Sequence, residues 1–319
     1  MNPVRIAVIG VGQFGRNHLR VVSALPGVTL AAVIDSDCDR ARTAAAEFST
    51  IAVDSIDDLA GLADAAIVAV PTMAHGEVGV KLLEAGIDVL MEKPIAHDLE
   101  TAHRLTNAAQ MHGRILQIGH LERFNPAILA LSKRITVPLF FEIHRMSMFS
   151  PRSLDVDVVL DLMIHDLDIV LSLTGSLPEE VRASGVCILS QKVDIANVRL
   201  AFPGGCIANI TASRVSTERV RKLRLFQPHQ YISLDYQKQE AVAYSVSPSQ
   251  QIGFDPFQIP KQEPLKLEVE AFVNSVVTRE KPMVDGAQGT KALLVALDIL
   301  AKIEEHARVV NRTLETQGG

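Results

Sequence analysis

Residues 5–35 read RIAVIGVGQFGRNHLRVVSALPGVTLAAVID, and this stretch decides the fold of the N-terminal half. Its first part, Arg5–Ile9, is an apolar run that predicts a buried strand. The strand leads into the segment Gly10-Val11-Gly12-Gln13-Phe14-Gly15, and a helix is predicted from about Phe14 to Ser23. A strand, a glycine loop and a helix in this order are typical of a dinucleotide-binding βαβ unit.

The three glycines have different predicted tasks. Gly10 makes the tight turn, Gly12 lets a pyrophosphate approach the backbone, and Gly15 lets the helix pack closely on the strand. The diphosphate would then lie on unpaired N–H groups at the helix N-terminus, beside Gln13 and Phe14. The alternative interpretation is a glycine-rich turn in a sheet that serves another purpose.

Asp35 bears on the choice between the two nicotinamide cofactors. It lies 20 residues after Gly15, at the end of the predicted strand Val28–Ile34, where a carboxylate can hold ribose hydroxyls. The same charge would repel the 2′-phosphate of NADP, so the sequence favours NAD. Arg40 is close enough in the sequence to contact the cofactor and weaken this preference, although it also fits a solvated helix face.

Strands and helices alternate through the first 120 residues. Beyond Asp35 we predict, in order, a helix over Asp39–Phe48, a strand over Ala66–Val70, a helix over His75–Glu84, a strand over Asp88–Met91, a helix over Leu99–His112 and a strand over Ile115–Gly119. This alternation indicates an α/β domain with a doubly wound parallel sheet of the Rossmann type. We place this domain at residues 1–121 and expect it to bind NAD.

Residues 122–319 have a different pattern. We predict a helix opened by Asn125-Pro126, a strand over Leu139–Met148, a long apolar helix over about Val156–Leu173, mainly strands from 180 to 246 with a turn at Pro203-Gly204-Gly205, and final helices at about 265–279 and 287–308. A run of strands followed by helices is typical of an α+β domain with a large, mainly antiparallel sheet. We expect this second domain to bind the substrate.

The composition narrows the class of partner. The 319 residues carry 31 basic and 37 acidic side chains, and the net charge of −6 argues against nucleic acid or an anionic membrane as a partner. Aromatic residues make up 4% and Trp is absent, so we expect no base-stacking platform.

The chain also lacks the usual signs of export. No apolar stretch reaches membrane-spanning length, and the N-terminus has no signal-peptide pattern. Three cysteines, Cys38, Cys187 and Cys206, are too few for a disulfide framework or a zinc cage. We therefore expect a cytoplasmic protein without a structural metal.

Lys93 is a candidate catalytic residue. It follows the predicted strand Asp88–Met91 within Glu92-Lys93-Pro94, at the carboxyl edge of the sheet, where ligands bind in such folds. A partly desolvated lysine there can hydrogen-bond a substrate oxygen or donate a proton. The alternative is an ordinary surface lysine without a role in the reaction.

A second candidate lies on the long apolar helix of the C-terminal domain. Asp157, Asp161, His165 and Asp168 recur at i, i+4, i+8 and i+11 and form one polar stripe. Asp161 and His165 lie one turn apart, and a histidine beside a carboxylate is a suitable base for an alcohol proton. The alternative is a structural Asp–His pair or a helix cap. No third nitrogen or thiolate is spaced for a zinc site.

Taken together, six motifs resemble the glucose–fructose oxidoreductase, inositol dehydrogenase and rhizopine-catabolism family, Gfo/Idh/MocA. The matching segments are Gly10–Gly15, Val70-Pro71-Thr72-Met73-Ala74-His75, Glu84-Ala85-Gly86, Glu92-Lys93-Pro94, Arg123-Phe124-Asn125-Pro126 and Asp161-Leu162-Met163-Ile164-His165. The resemblance implies that Lys93 and His165 flank the reacting carbinol, with Asp161 as a third polar contact. It also implies that five further residues lie near the cofactor: Pro71, Thr72, His75, Glu92 and Arg123.

Three segments are most similar to the branch of this family that oxidises the 3-hydroxyl of UDP-N-acetylglucosamine. They are residues 119–126 (GHLERFNP), 155–159 (DVDVV) and 212–216 (ASRVS). That resemblance implies a 3-keto sugar product, which an aminotransferase converts to an amine for a diamino-sugar lipid A. In the Gfo/Idh/MocA family as a whole, the exposed face of the C-terminal sheet commonly pairs with another subunit, so the family resemblance implies a homodimer or homotetramer assembled through that sheet.

A basic cluster bears on the substrate. Five cations fall within eleven residues: Arg214, Arg219, Arg221, Lys222 and Arg224. Guanidinium groups fit phosphate oxygens, so Arg214 and Arg221 are candidate contacts for a substrate diphosphate. The alternative is a charged edge strand, because strand parity places these side chains on both faces.

Two other functions remain open. The same chemistry fits a free sugar, inositol or another nucleotide sugar as substrate. A non-catalytic redox sensor would share the NAD site, although it would not need Lys93, Asp161 and His165 together.

Overall fold

The computed structural model describes residues 3–149, 156–247, 249 and 251–317. Residue 155 of the DVDVV segment lies outside these residues. The chain divides into two compact units, each built from two stretches of sequence. The first unit comprises Met1–Phe124 and Glu263–Thr290, and the second comprises Asn125–Gln262 and Lys291–Gly319.

The helices follow the predicted order. They are α1 (Gln13–Ala24), α2 (Cys38–Glu47), α3 (His75–Glu84), α4 (Leu99–Met111), α5 (Pro126–Ser132), α6 (Ile164–Thr174), α7 (Pro264–Thr278) and α8 (Gly286–Gln317). Side-chain caps explain where several of them begin. Asp98 accepts the N–H of Thr101 at 2.7 Å at the start of α4. Asn125 accepts the N–H of Ala127 at 3.0 Å at the start of α5.

The sheet of the first unit is wholly parallel. Its strands are β1 (Val4–Ile9), β2 (Val28–Ile34), β3 (Ile51–Ala52), β4 (Ala65–Val68), β5 (Asp88–Glu92) and β6 (Leu116–Gly119). Their spatial order is β3-β2-β1-β4-β5-β6, which is the doubly wound order of a Rossmann fold. The order reverses between β1 and β4, and ligands bind at such a switch point. The predicted Rossmann sheet is confirmed.

In the described part of the second unit, the sheet has eight strands. They are β7 (Phe140–Met148), β8 (Glu180–Val186), β9 (Ile195–Ala201), β10 (Ile207–Ser216), β11 (Val220–Gln227), β12 (Gln230–Asp235), β13 (Glu240–Val246) and β14 (Ile252–Pro256). Their order is β14-β13-β12-β11-β7-β10-β9-β8. Among these described strands, only β7 and β10 pair in parallel, so the predicted mainly antiparallel sheet is confirmed.

Alternation along the strands gives this large sheet one buried face. On β7, Phe141 and Ile143 are fully buried, as are Leu223 and Leu225 on neighbouring β11. They join one hydrophobic core with residues of α6, including Leu167. The intervening side chains lie on the open face of the sheet.

The predicted long helix over Val156–Leu173 is wrong in its first part. A π-helix runs over Val159–Met163 before α6 begins at Ile164. A π turn places one extra residue in the hydrogen-bond ladder, so the predicted i, i+4 stripe does not continue straight through it.

Helix α7 belongs to the core of the first unit. Val269 and Phe272 are fully buried with Leu19 of α1 and Ile6 of β1. The domain boundary predicted near residue 121 therefore lies close to the division between Phe124 and Asn125. The prediction assigned residues 263–290 to the second domain, whereas the structure places them in the first unit. The sequence predicts a helix at about 265–279, but it does not indicate which core buries that helix.

Candidate nucleotide-binding and catalytic sites

The glycine loop has the geometry that a diphosphate requires. Gly10 has a φ of +84°, and a Cβ there would lie 2.6 Å from the carbonyl oxygen of Ala69. A Cβ on Gly15 would lie 1.8 Å from the carbonyl oxygen of Gly10. A Cβ on Gly12, which is the N-cap of α1, would meet nothing within 4 Å. The backbone is thus open at the N-terminus of a 12-residue helix, which fits a bound diphosphate.

Asp35 is held in place at the end of β2. Its Oδ2 accepts the N–H of Val11 at 2.8 Å, and its Oδ1 accepts the N–H of Asp37 at 2.9 Å. Burial alone would raise the pKa of Asp35, but these hydrogen bonds and the guanidinium of Arg40 outweigh it and lower the pKa. The carboxylate therefore stays ionised and can accept hydrogen bonds from ribose hydroxyls.

Arg40 is ion-paired with Asp35. The distance from its Nη2 to Asp35 Oδ1 is 2.9 Å, and the arginine side chain remains 46% exposed. Arg40 therefore lies on a solvated helix and also lines the cleft beside Asp35, and its contact with the cofactor stays a prediction.

A cleft of about 630 Å³ opens above the switch point of the first sheet. Seven residues predicted to bind the cofactor line it: Gly10, Gly12, Gln13, Phe14, Asp35, Arg40 and Pro71. Sequence reasoning missed several others: Asp54, Ser55, Ile56, Glu77, Val78 and Lys81. Residues 54–56 follow β3, which is two residues long and too short to show a strand pattern. The cleft has the residues and the volume to hold a dinucleotide.

Six other residues predicted to be near the cofactor do not line this cleft: Gly15, Thr72, His75, Glu92, Lys93 and Arg123. Gly15 acts through close packing, as described above. His75 connects two loops, since its Nδ1 lies 2.9 Å from the carbonyl oxygen of Pro94 and its Nε2 lies 3.1 Å from that of Val70. Burial lowers the pKa of His75, which favours the neutral ring.

Lys93 directly follows β5. The Oε2 atom of Glu92 accepts the backbone N–H of Lys93 at 3.3 Å, and Glu92 Oε1 lies 2.7 Å from His18 Nε2. Lys93 is partly exposed, as a group that meets a ligand must be. Arg123 is buried, and its guanidinium donates to the carbonyl oxygen of Met283 at 3.5 Å.

Asp161 and His165 lie on either side of the change from π-helix to α6. Both are half-buried, whereas Asp168 is 2% exposed. Asp157 has a structural contact, because its Oδ1 accepts the N–H of Val193 at 2.9 Å. Single π turns occur frequently at functional sites, where they place a side chain that a regular helix would direct elsewhere.

A buried ion pair beside His165 was missed from sequence. Arg145 Nε and Nη2 donate to Asp166 at 2.6 and 2.8 Å, and Tyr236 donates its hydroxyl to Asp166 at 3.2 Å. The two charged side chains are 2% and 0% exposed. One feature of the sequence does point to this pair. Arg145 follows Phe141 and Ile143 at alternating positions, so a charged side chain occupies an inward position on β7 and needs a buried partner.

The basic cluster does not form one surface. Arg214 is 5% exposed and its Nε donates to Asp194 at 2.8 Å, while its other nitrogens donate to Ser190 and the carbonyl of Val156. Its guanidinium is therefore committed inside the protein, which corrects the expectation that Arg214 binds a phosphate. Arg221 lies on the inward face, opposite Arg145 in the strand register. The remaining three cations are exposed: Arg219, Lys222 and Arg224.

Among the described residues, no helix is both long enough and apolar enough to cross a membrane.

Comparison with protein families gives two matches. Residues 4–120 match the oxidoreductase family with an NAD-binding Rossmann fold, and residues 139–227 match the GFO/IDH/MocA C-terminal domain. These two segments fall on the parallel sheet and on the greater part of the large sheet, respectively.

Comparison with individual proteins extends the match over nearly the whole chain. A UDP-N-acetylglucosamine 3-dehydrogenase from Acidithiobacillus ferrooxidans is 36% identical over 94% of this chain and 97% of its own length. The solved structure of that enzyme has a TM-score of 0.91 and covers 96% of this chain and 99% of its own. A scyllo-inositol 2-dehydrogenase (NAD(+)) from Bacillus subtilis is 29% identical over 67% of this chain and 68% of its own length. The chain therefore belongs to the Gfo/Idh/MocA family of NAD-binding oxidoreductases.

Proposed function

We propose that this enzyme oxidises the 3-hydroxyl of UDP-N-acetylglucosamine to a ketone with NAD. The observation that carries the proposal is the extent of the similarity. The UDP-N-acetylglucosamine 3-dehydrogenase matches 94% of the chain, whereas the inositol dehydrogenase from Bacillus subtilis matches 67%. The product ketone is a substrate for an aminotransferase, and we propose that it supplies a 2,3-diamino sugar for lipid A.

The residues of the first unit account for cofactor binding in this proposal. The open backbone at Gly12 holds the diphosphate, and the Asp35 carboxylate accepts hydrogen bonds from a ribose. NAD, when bound, supplies the hydride acceptor. The chain itself must remove the hydroxyl proton and stabilise the negative charge on the substrate oxygen.

His165 and Lys93 divide these two tasks. In one assignment a His165 ring nitrogen takes the hydroxyl proton, with Asp161 stabilising the resulting imidazolium, and the Lys93 ammonium hydrogen-bonds the substrate oxygen. In the other assignment Lys93 exchanges the proton and the Asp161–His165 pair relays it. In both assignments the substrate loses the hydrogen of its C–H bond as hydride and that of its O–H bond as a proton, and a C=O group remains.

Arg221 is the proposed contact for the UDP diphosphate. It occupies an inward position next to the Arg145–Asp166 pair, and it is half-buried, which strengthens an interaction with an anion. Arg214 has no part in this proposal, because Asp194 takes its guanidinium.

Free polyols such as inositol are a second candidate class of substrate, which the similarity to inositol dehydrogenases supports. Several relatives are inositol 2-dehydrogenases, including one from Saccharopolyspora erythraea at 35% identity over 54% of this chain. A free polyol would need the same proton acceptor and hydride acceptor, and it would not need Arg221.

We also propose that the enzyme is a homodimer or homotetramer that works in the cytoplasm. A row of aromatic rings crosses five strands of the second sheet: Phe140, Phe226, Tyr231, Tyr244 and Phe254. Phe254 is 63% exposed, and exposed apolar patches mark association surfaces. All three cysteines are free thiols, which fits a reducing compartment.

A substrate panel tests the proposed function. The purified protein and NAD are mixed with UDP-N-acetylglucosamine, N-acetylglucosamine or myo-inositol, and NADH is followed by absorbance. We expect rapid NADH formation with the nucleotide sugar only. Arg221→Gln should raise KM for the nucleotide sugar, while the matched surface variant Arg224→Gln should leave it unchanged. Faster turnover of myo-inositol would favour the second substrate class.

A further inference from the structure

Three ionisable side chains meet in the interior of the first unit. They are His18 on α1, Glu92 at the end of β5 and Glu268 on α7. One nitrogen or oxygen of each lies within 4.8 Å of those of the other two. His18 and Glu268 are 1% and 0% exposed. Burying two carboxyl groups this close together is unfavourable if both are ionised.

Glu268 differs from Glu92 in its contacts. Glu92 accepts a hydrogen bond from its neighbour Lys93 and pairs with His18 at 2.7 Å. Within the described part of the chain, no hydrogen-bond donor lies within reach of either carboxyl oxygen of Glu268. Gln117 donates only to the Glu268 backbone carbonyl, at 3.1 Å. An ionised Glu268 would thus be a buried charge next to a second carboxylate.

The charges of the two acids follow from these surroundings. Burial and the negative charge of Glu92 raise the pKa of Glu268 well above its usual range. Burial would also raise the pKa of Glu92, but the contacts with His18 and Lys93 outweigh it and lower the pKa. One carboxylate and one carboxylic acid therefore form the stable combination.

We propose that Glu268 is a neutral carboxylic acid that donates its proton in a hydrogen bond to Glu92, and that this His18–Glu92–Glu268 triad positions Lys93. The second part rests on the proposed role of Lys93 in the reaction. Glu92 is the link, because its Oε2 accepts the Lys93 N–H while its Oε1 pairs with His18. Glu268 and His18 are positioning residues, and they act through Glu92.

The backbone around Glu92 supports this role. A Cβ on Gly119 of the adjacent strand β6 would lie 3.2 Å from both Cα and Oε2 of Glu92. A side chain there would crowd the carboxylate, so the glycine leaves room for it. With both carboxylate oxygens engaged and a glycine beside them, Glu92 has little freedom to move, and Lys93 leaves the strand in a fixed direction.

Infrared difference spectroscopy tests the protonation of Glu268. The wild type should show the carbonyl stretch of a protonated carboxyl group at neutral pH, and Glu268→Gln should remove that band. Glu270→Gln is the matched control, because Glu270 is on the same helix but 41% exposed beside Lys266. This variant should keep the band. The readout needs no substrate, so it is independent of the proposed function.

Two results would overturn the proton assignment. One is a wild-type spectrum that lacks the band. The other is a stoichiometric metal ion, detected by elemental analysis in the wild type and lost in Glu268→Gln, since three such ligands would then hold a cation in place of a proton.

Kinetics test the positioning of Lys93. Glu268→Gln retains a neutral hydrogen-bond donor and should keep kcat near that of the wild type. Glu268→Leu removes the donor, and we expect kcat to fall at least about tenfold, because a misplacement of about 1 Å at a catalytic group can cost about 10²-fold. KM for NAD should not change, and circular dichroism should show a folded protein. A folded Glu268→Leu enzyme with wild-type kcat would refute the positioning role.

Discussion

Lys93 is the residue whose loss should affect the reaction most clearly. Lys93→Met removes the ammonium but keeps most of the side-chain volume, and we expect kcat to fall about 10²–10⁴-fold, as for the loss of a general acid or base. NAD binding, measured by titration calorimetry, should be nearly unchanged, since Lys93 does not line the nucleotide cleft. Lys302→Met, on the exposed face of α8, is the control. Wild-type turnover of Lys93→Met at saturating substrate would disprove the role.

Asp35 should set the preference for NAD. Its charge would face the 2′-phosphate of NADP, and two like charges about 4 Å apart at an effective dielectric constant of about 20 repel by about 4 kcal/mol. We expect Asp35→Ser to raise the ratio of kcat/KM for NADP over NAD at least about tenfold, which corresponds to about 1.4 kcal/mol. The freed Arg40 would then be available to the phosphate.

Asp39→Ser is the control variant, because the Asp39 carboxylate is 92% exposed. It should leave the ratio as in the wild type. An unchanged ratio in Asp35→Ser would show that the preference for NAD arises elsewhere.

At the residue scale, the motif predicts the backbone geometry of two glycines. Gly10 has a positive φ, and Gly15 packs against the carbonyl oxygen of Gly10, whereas their contact with a bound cofactor stays a prediction. The Arg145–Asp166 pair was missed because its members are 21 residues apart and meet only through the packing of β7 and α6. Arg214 was misassigned for the same reason, since its partner Asp194 lies 20 residues away.

At the level of elements, the turn between β8 and β9 depends on one carboxylate. Asp194 Oδ2 accepts the N–H groups of Ile188 and Leu189 at 2.6 Å and of Ser190 at 3.2 Å, while Oδ1 accepts from Arg214. Burial alone would raise the pKa of Asp194, but these donors lower it well below its ordinary value.

The stability from Asp194 should therefore depend on pH. A carboxylate with a lowered pKa in the folded state stabilises fully above its unfolded pKa of about 3.9 and loses that contribution as the pH falls below it. Asp194→Asn should lower the free energy of unfolding at pH 7 by about 3 kcal/mol, the lower end for breaking a buried ion pair. Its stability should also decline less steeply than that of the wild type below about pH 4.

Urea unfolding at a series of pH values measures both effects. Asp39→Asn, at an exposed position, should follow the wild-type curve. If the Asp194→Asn curve ran parallel to the wild type through the acid range, the pH dependence would come from other groups.

Elements were predicted well where periodicity is strong, and less well where the backbone departs from it. The spacing of α3 and the glycine at position 86, with φ of +80°, gave its end correctly. The π-helix over Val159–Met163 has the same apolar composition as a regular helix. An extra residue in the hydrogen-bond ladder has no signature in that composition, so the sequence did not reveal it.

At the scale of the whole molecule, the aromatic row on the second sheet should mediate self-association. Phe254→Glu with Tyr244→Lys places opposite charges on two exposed ring positions of this row. We expect the wild type to sediment as a dimer or tetramer and the double variant to sediment as a monomer that still binds NAD. Met111→Glu is the control, because Met111 is 81% exposed on α4. A monomeric wild type, or an unchanged assembly in the double variant, would contradict this expectation.

The sequence predicts the two kinds of domain, but it does not predict that each compact unit is built from two separate stretches of the chain. The change from alternating strands and helices to consecutive strands indicated two kinds of sheet, and both are present. The return of residues 263–290 to the first unit was not visible, since an apolar helix face does not specify which of two cores buries it. This return also brings Glu268 next to Glu92, so the proposed triad was not predictable from motifs.

We propose that the enzyme removes hydride from carbon 3 of a UDP-linked amino sugar. UDP-N-acetylglucosamine carrying deuterium at carbon 3 tests it directly, with NAD as the other substrate and mass spectrometry of the reduced cofactor as the readout. We predict reduced cofactor one mass unit heavier than with unlabelled sugar, in an amount equal to the ketone formed. Unlabelled reduced cofactor, or none, would contradict the account.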